Sequence, residues 1–362
     1  MHDLENSRIC FIAGTLGHGG AERQLFYVIR ALRELNANVR VLCLADGEFW
    51  KPSIARLDVE VRSVGLERTR LGRLARMMRE VARFRPAIVQ SQHFYTNLYA
   101  VLIARLSRAR ELGAIRCDVT SEIADTGSLG GMCLRLPRLL VANSRAAIAT
   151  ARKHGIPAER LSFLPNVVET DRFRPREAAA RDRFRVFGIG RLAPQKRFDR
   201  FIGIVDEMRR RSSRRIEGII VGEGPLRSDL EQQGRDLGLI PEHLSFWGAV
   251  DDMVPVYQQA DAVVVTSDYE GTPNVILEAM ASGVPVISAR VGGVADLICH
   301  DRTGYLADPA DDAAMVDALV ELAASEGLSR QIGGAAREYV ISHHAVAGLS
   351  GRLAAIYGAA RS

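Results

Sequence analysis

The chain alternates short apolar runs with amphipathic segments along most of its length, and this alternation restricts the folds open to it. Runs of four to six mostly apolar residues predict strands at 8–13, 39–44, 87–91, 139–142, 186–189, 218–221, 244–247, 262–266 and 284–288. Helices are predicted at 20–35, 71–84, 96–108, 144–154, 197–210, 225–237, 273–281 and 311–324. Ser144 and Gly155 are typical residues for the two ends of the fourth helix. Strand–helix alternation in both halves implies parallel α/β sheets.

The length of 362 residues and the hydrophobic content of 47% suit two domains, each with its own core. The predicted fold class is therefore α/β, with two Rossmann-like parallel-sheet domains that face an interdomain cleft. An aperiodic stretch from Pro165 to Pro175 marks the boundary, which gives domains over 1–167 and 168–344. The Ala- and Leu-rich segment 345–362 is predicted to form a closing helix that packs back onto the first domain.

Composition excludes several other classes of protein. No run approaches the roughly 18 apolar residues of a membrane-spanning helix, and the first residues lack the pattern of a secretory signal. The five cysteines are scattered and form no CxxC pair, which indicates a reducing compartment and no structural zinc site. These observations predict a cytoplasmic protein.

Charge is distributed unevenly between the two halves. Residues 1–167 carry 25 Lys and Arg against 15 Asp and Glu, whereas residues 168–362 carry 23 against 28. The basic half is therefore expected to face an anionic partner. Seven arginines lie within 18 residues, several at helical spacing: Arg68, Arg70, Arg73, Arg76, Arg79, Arg83 and Arg85. This face suits an anionic membrane surface or a phosphorylated lipid carrier, and a solvated helix face is the alternative. The stretch lacks interleaved aromatic residues, so nucleic acid is not expected as a partner.

A glycine-rich loop, residues 14–22, follows the first predicted strand. Gly19 and Gly20 stand at the predicted start of a helix, where exposed N–H groups suit a phosphate; a tight structural turn is the alternative. The spacing is not GxGxxG, and no acidic residue ends the second strand. Both features argue against a nicotinamide-dependent dehydrogenase.

Two further strand ends carry candidate ligand contacts. Arg191 and Lys196 follow the strand at 186–189. The planar guanidinium of an arginine and the mobile ammonium of a lysine are both suited to binding phosphate oxygens. Lys196 is one of only three lysines in the chain. Gly222 and Gly224 follow the next strand, where they permit either a close approach to a ligand or a structural turn before Pro225.

The strongest motif runs from Ser267 to Ala281. Glu270 lies on the loop, Gly271 permits an unusual turn, and Thr272 or Pro273 opens a helix whose N–H groups attract phosphate. Glu278 follows eight positions after Glu270. Two carboxylates around a helix N-terminus suit sugar hydroxyls beside a diphosphate.

Together these segments resemble family 4 of the glycosyltransferases (glycosyl transferases group 1), retaining enzymes of the GT-B fold. The matching strings occur in the family's order and span most of the chain: GGAER (19–23), NSRAAI (143–148), LPNVVE (164–169), GIGRLAPQKRFD (188–199), VGEGP (221–225) and EGTPNVILEAMASGVPVIS (270–288).

The resemblance implies a hexosyltransferase that needs no metal ion and no other cofactor. It would move a hexose from a UDP- or GDP-linked donor to a glycan or lipid-linked acceptor, in cell-surface polysaccharide or glycolipid synthesis. Residues 1–167 would bind the acceptor and residues 168–344 the donor. Such an enzyme would work in the cytoplasm, as a peripheral protein at the inner face of the plasma membrane.

Roles carry over by motif position. Arg191 and Lys196 would bind the diphosphate, Glu270 the donor sugar and Glu278 the ribose hydroxyls. The donor-binding residues implied are Gly19, Gly20, Arg191, Lys196, Gly222, Glu270, Gly271, Thr272, Pro273, Asn274, Val275 and Glu278. Arg191, Lys196 and Glu270 would act in catalysis. Because no carboxylate in the first half is suited to act as nucleophile, we expect the acceptor to attack from the face that the diphosphate leaves.

The sequence departs from the family pattern at one strand end. Where members often carry His-x-His, this chain reads Gln90-Ser91-Gln92-His93. His93 either takes the catalytic role of the missing histidine or packs beside Phe94. The departure leaves open a non-catalytic subunit that binds nucleotide sugars. A nucleotide-sugar epimerase of the same architecture is a further alternative.

Overall fold

The computed structural model describes residues 4–46, 49–65, 69–176 and 182–361, without the side chains of Arg70, Ala359 and Arg361. The chain divides into two compact units. Unit 1 comprises Met1–Val167 and Val346–Ser362, and unit 2 comprises Val168–Ala345.

Unit 1 contains a seven-stranded parallel sheet. Its strands are β1 (Arg8–Ala13), β2 (Asn38–Cys43), β3 (Glu60–Ser63), β4 (Ile88–Ser91), β5 (Arg110–Ile115), β6 (Leu139–Ala142) and β7 (Leu161–Phe163). Its helices include α1 (Gly20–Glu34), α2 (Lys51–Ala55), α3 (Arg70–Phe84), α4 (Asn97–Ser107), α5 (Val119–Thr126), α6 (Gly130–Arg135) and α7 (Arg145–Lys153). The strand order β3-β2-β1-β4-β5-β6-β7 reverses direction between β1 and β4.

Unit 2 contains a six-stranded parallel sheet of order β10-β9-β8-β11-β12-β13, which reverses between β8 and β11. Its strands are β8 (Arg183–Ile189), β9 (Arg215–Val221), β10 (Leu244–Gly248), β11 (Ala262–Val265), β12 (Val286–Ala289) and β13 (Tyr305–Ala307). Its helices are α8 (Phe198–Arg211), α9 (Arg227–Asp236), α10 (Val254–Gln259), α11 (Asn274–Ala281), α12 (Asp312–Ala324) and α13 (Glu326–His344). The last helix of the chain, α14 (Leu349–Arg361), belongs to unit 1.

Both sheets are covered on two faces, as all-parallel sheets require. Strands β4, β11 and β12 accordingly bury all four of their residues. Leu353 and Tyr357 of α14 share a buried cluster with Leu25 and Ile29 of α1. The prediction of two Rossmann-like parallel sheets is therefore confirmed.

The predicted start and end of the fourth helix are confirmed at the atomic level. The hydroxyl of Ser144 accepts a hydrogen bond from the N–H of Ala147 (3.0 Å), which caps α7. Gly155 follows with a φ of +85°, a left-handed conformation that glycine adopts without strain.

Candidate functional site

The residues predicted for the second half meet where the strand order of unit 2 reverses. Arg191 and Lys196 lie on the loop that leaves β8, and Glu270 lies on the loop that leaves its neighbour β11. Open α/β sheets bind ligands at the carboxyl ends of strands at such a reversal. The fold therefore brings the candidate cations and the candidate carboxylate to one edge of one sheet.

Lys196 and Glu270 form an ion pair across these two loops. Lys196 Nζ lies 2.5 Å from Glu270 Oε1, and the hydroxyl of Ser267 donates to the same oxygen at 2.7 Å. The Glu270 side chain is 8% exposed and that of Lys196 is 25% exposed. The ammonium has two further N–H donors, so it can bind a second anion without leaving the carboxylate.

Hydrogen bonds to the backbone tie the same two loops together. Gln195 Nε2 donates to the carbonyl of Tyr269 at 2.7 Å. The hydroxyl of Thr266 lies 2.9 Å from the carbonyl oxygens of Lys196 and Arg197. The position of the ion pair is thus set by the backbone beneath it, and not by two flexible side chains alone.

Gly222 brings a third loop against the first. A Cβ atom built on Gly222 would lie 2.0 Å from the carbonyl oxygen of Gly190, and the φ of +139° also requires glycine. The N–H of Gly222 donates to the carbonyl of Gly248 at 2.7 Å. These contacts explain the glycine by backbone packing, and its contact with a ligand stays a prediction.

Helix α11 begins beside Glu270. Pro273 occupies the N-cap position and supplies no side-chain cap, and the first turn of the helix carries no acidic residue. Gly271 and Thr272 are buried, whereas Asn274 and Val275 are partly exposed. A helix start of this kind presents N–H groups and a partial positive charge.

Glu278 lies on the buried side of α11, 4% exposed. Its Oε2 accepts a hydrogen bond from the hydroxyl of Tyr257 on α10 at 2.9 Å. Sequence reasoning missed Tyr257 because it belongs to a separate helix with no motif of its own. Arg191 differs from the other candidates: it is exposed, and its guanidinium has no hydrogen bond or ion pair with any residue that the structure describes.

The candidates of the first half also meet at a reversal of strand order, between β1 and β4. The N–H of Gly14, after β1, donates to His93 Nδ1 at 3.1 Å, and His93 follows β4. His93 Nε2 lies 3.2 Å from Glu22 Oε1, which also accepts from the Thr15 hydroxyl at 2.5 Å. Nδ1 therefore accepts and Nε2–H donates, so both ring nitrogens already have partners within unit 1.

Glu22 was missed by sequence reasoning, although its place in the first turn after a glycine loop was a signal. Burial alone would raise the pKa of this carboxyl, but the hydrogen bonds from His93 and Thr15 lower it below its usual value. Gly19 and Gly20 are exposed at the start of α1. A Cβ atom on Gly19 would lie 2.0 Å from Glu22 Oε2, so any phosphate at these glycines would lie close to a carboxylate.

The glutamines that replace the family's histidines have structural partners. Gln90 Oε1 accepts a hydrogen bond from the hydroxyl of Tyr357 on α14. Gln92 Nε2 donates to the carbonyl of Ala21 at 2.6 Å. Both side chains are buried, so they join elements of unit 1.

The described part of the chain contains neither a candidate metal cluster nor a candidate membrane-spanning helix. Across residues 4–46, 49–65, 69–176 and 182–361, no three His, Cys, Asp or Glu side chains cluster in a way that could hold a metal ion. None of the helices in those ranges combines the length and apolar character needed to cross a bilayer.

Solved structures share this architecture. The crystal structure of Anabaena HepE in complex with UDP superposes on this chain with a TM-score of 0.82, and its complex with UDP and glucose superposes with a TM-score of 0.84. Both share 20% sequence identity with this chain and cover 97% of it and 99% of HepE. TarM superposes with a TM-score of 0.84 at 12% identity over the whole of both chains. These likenesses show the GT-B glycosyltransferase fold.

Two family models then identify the chain itself. Residues 183–325 match the family described as "Glycosyl transferases group 1", and residues 19–167 match the "Glycosyl transferase 4-like domain". The chain belongs to the group 1 glycosyltransferases, which confirms the resemblance seen in the sequence.

Sequence relatives include two proteins named as sugar transferases. The GDP-mannose-dependent alpha-(1-6)-phosphatidylinositol monomannoside mannosyltransferase of Mycobacterium tuberculosis is 34% identical over 205 residues, 51% of this chain and 52% of the relative. The match thus spans about half the length of that relative. The lipopolysaccharide core biosynthesis glycosyltransferase LpsD of Rhizobium meliloti is 25% identical over 319 residues, 84% of each chain.

Proposed function

We propose that this glycosyltransferase is a retaining, metal-independent hexosyltransferase. It moves a hexose from a nucleotide-diphosphate sugar to a glycan or lipid-linked acceptor, with the donor on unit 2 and the acceptor on unit 1. The observation that carries the proposal is the Lys196–Glu270 pair at the strand reversal of unit 2, beside the exposed Arg191 and the start of α11. A GDP-mannose-dependent relative and a neighbour solved with UDP-glucose support a nucleotide-sugar donor.

Breaking the bond between sugar and diphosphate creates a cationic sugar and an anionic leaving group. Arg191, Lys196 and the N–H groups at the start of α11 stabilise the negative charge as it develops. Glu270 holds the Lys196 ammonium in place and accepts a hydrogen bond from a hydroxyl of the donor sugar. Glu278, held by Tyr257, is assigned to the ribose hydroxyls.

Retention of configuration follows if the acceptor attacks the sugar from the same face that the diphosphate leaves. Glu22 is the buried carboxylate at the strand reversal of unit 1, and its Oε1 already accepts hydrogen bonds from Thr15 and His93. A carboxylate engaged in this way is poorly placed to form a covalent bond to the sugar. This arrangement favours same-face attack over a double displacement.

The acceptor side of the proposal includes contact with an anionic membrane surface. Arg68 lies outside the described residues, but α3 presents exposed Arg79 and Arg83, and its first turn exposes 79% of Leu71. Leu102 and Leu106 on the neighbouring α4 are 43% and 58% exposed. Arginines beside exposed leucines suit the interface of an anionic bilayer.

Variants of the ion pair test the proposal. We expect Lys196→Ala and Glu270→Ala each to lower turnover by a factor of about 10² to 10³, because each removes a preorganised contact to the transition state. Lys196→Ala should also weaken binding of the nucleotide diphosphate, whereas Glu270→Ala frees the ammonium and should preserve that binding. Turnover is followed as nucleotide release with a cognate donor and acceptor, and binding is followed by calorimetry.

A matched control is available in Lys51, which is paired with Asp46 at 3.1 Å in unit 1. Lys51→Ala should leave turnover unchanged, and circular dichroism should show all three variants folded. Near-normal turnover in Lys196→Ala or Glu270→Ala would contradict the assignment. Product analysis with the donor alone separates transfer from epimerisation, and donor binding without any product would indicate a non-catalytic subunit.

A further inference from the structure

Arg116 is the first residue after β5, at the carboxyl edge of the unit 1 sheet. Strand β5 lies directly beside β4, the strand that leads to His93. The backbone of Arg116 is held in place, because Asn143 Nδ2 donates to its carbonyl oxygen at 3.0 Å. Arg116 thus stands one strand away from the reversal point of unit 1, where this fold places ligands.

The guanidinium of Arg116 has no partner among the residues that the structure describes. The side chain is partly buried and its Nε atom is completely buried, yet it makes no hydrogen bond or ion pair with any residue in the described ranges. Other partly buried arginines do pair: Arg185 Nε donates to Glu217 at 3.0 Å, and Arg200 Nε donates to Asp312 at 2.9 Å. A buried charged donor without a partner destabilises a fold.

The acidic groups near Arg116 do not compensate its charge at neutral pH. They are Tyr357 and Glu122. Burial raises the pKa of Tyr357 above its usual range and raises that of Glu122 to about 8. Burial also lowers the pKa of Arg116 itself to about 10, which still leaves it charged at pH 7. Glu122 and Tyr357 therefore leave the charge of Arg116 largely uncompensated at neutral pH.

We propose that Arg116 binds an anionic oxygen group of a substrate, a phosphate or a carboxylate, at the carboxyl edge of the unit 1 sheet. The inference rests on the proposed glycosyl transfer, because it is that reaction which brings a substrate to this edge. The anion supplies the partner that the guanidinium lacks. Glu122 Oε2 is buried and also has no hydrogen-bond partner among the described residues. It faces the same cluster and binds a neighbouring hydroxyl of that substrate.

Stability distinguishes this role from a structural one. Arg116→Met keeps the length of the side chain and removes the unpaired charge, so we expect a Tm at or above that of the unaltered chain together with at least a tenfold loss of turnover. Arg152→Met, which removes an exposed arginine from α7, controls for the loss of one charge and should change neither quantity. A Tm lowered by Arg116→Met and not by Arg152→Met would mean that the guanidinium supports the fold, and would overturn the proposal.

The ligand is tested directly at the side chain. The Nε–Hε resonance of Arg116 is assigned by its loss in Arg116→Met, and the unaltered chain is titrated with sodium pyrophosphate and with sodium glucuronate. We expect a saturable shift with at least one anion, and none with glucose or with sodium chloride at the same ionic strength. A response to pyrophosphate alone indicates a phosphate ligand, and a response to glucuronate indicates an acidic sugar. No response to either anion overturns the proposal.

Calorimetry with UDP-glucose and GDP-mannose separates this inference from the function on which it rests. Binding of a nucleotide sugar without any anion response at Arg116 overturns the Arg116 assignment alone. If transfer is absent while Arg116 still responds to an anion, the proposed glycosyl transfer fails and the anion site stands.

Discussion

Lys196 and Glu270 neutralise each other in the unliganded chain, and this pairing affects both folding and binding. Breaking a largely buried ion pair from one side usually destabilises a protein, because the other charge remains without a partner. Here Ser267 continues to donate to Glu270 when Lys196 is removed, which limits that cost. If the pair binds the donor as proposed, its loss should affect turnover far more than Tm.

Glu122 gives a pH-dependent contribution to stability. Its pKa is raised from 4.5 to about 8 in the folded chain, with burial as the main cause. Between these two values the folded state keeps a proton that the unfolded state releases, so the free energy of unfolding falls as pH rises from about 4.5 to about 8. The slope is at most about 1.4 kcal/mol per pH unit, the value for release of one proton.

Glu122→Gln tests this contribution, because the amide keeps an acceptor for the N–H of Arg116 and has no proton to release. We expect the unaltered chain to lose more Tm between pH 5 and pH 8 than the Glu122→Gln variant loses. Glu159→Gln, at an exposed site in unit 1, serves as the control and should follow the unaltered chain. Parallel pH profiles for all three proteins would contradict the shifted carboxyl.

At the scale of elements, sequence periodicity located most strands and helices. It missed the strands β3, β5, β7 and β13 and the helices α2, α5, α6, α10 and α13. Strand β5 begins with Arg110 and Glu111 and contains Gly113, so it lacks the apolar run that marked its neighbours. Because β5 was missed, Arg116 could not be recognised as a residue that follows a strand. Motif spacing placed Lys196 and Glu270 on loops, whereas their direct contact depends on the adjacency of β8 and β11, which no local pattern encodes.

The surface formed by α3 and α4 carries a prediction about membranes. Residues 69–110 contain nine arginines and one acidic residue, and each arginine near an anionic surface contributes about 1 kcal/mol. We expect sedimentation with phosphatidylglycerol vesicles at low salt and release at 0.5 M NaCl. Replacing Arg79 and Arg83 together by Ala should weaken binding more than tenfold, and Leu102→Ser with Leu106→Ser should weaken it further.

Ile341→Ser is the matched control for the leucine variants, because Ile341 is 45% exposed on unit 2. It should bind vesicles as the unaltered chain does. Two results would show that this surface does not recognise anionic lipid. One is that the unaltered chain binds neutral phosphatidylcholine vesicles with the same affinity, and the other is that the arginine variant loses no vesicle binding.

At the scale of the whole molecule, the assignment of the donor to unit 2 predicts which part of the chain a ligand stabilises. A ligand that binds only the folded state at a hundredfold excess over its Kd adds roughly 2.7 kcal/mol to stability. The loops after β8 and β11 and the start of α11 should therefore gain protection from hydrogen exchange, whereas α3 of unit 1 should not. Exchange is measured with UDP-, GDP-, ADP- and TDP-linked sugars in turn, and the nucleotide that protects identifies the donor class. Protection confined to unit 1 would instead place the donor on unit 1. If the diphosphate binds at the Lys196–Glu270 pair, Lys196→Ala should abolish the protection of unit 2.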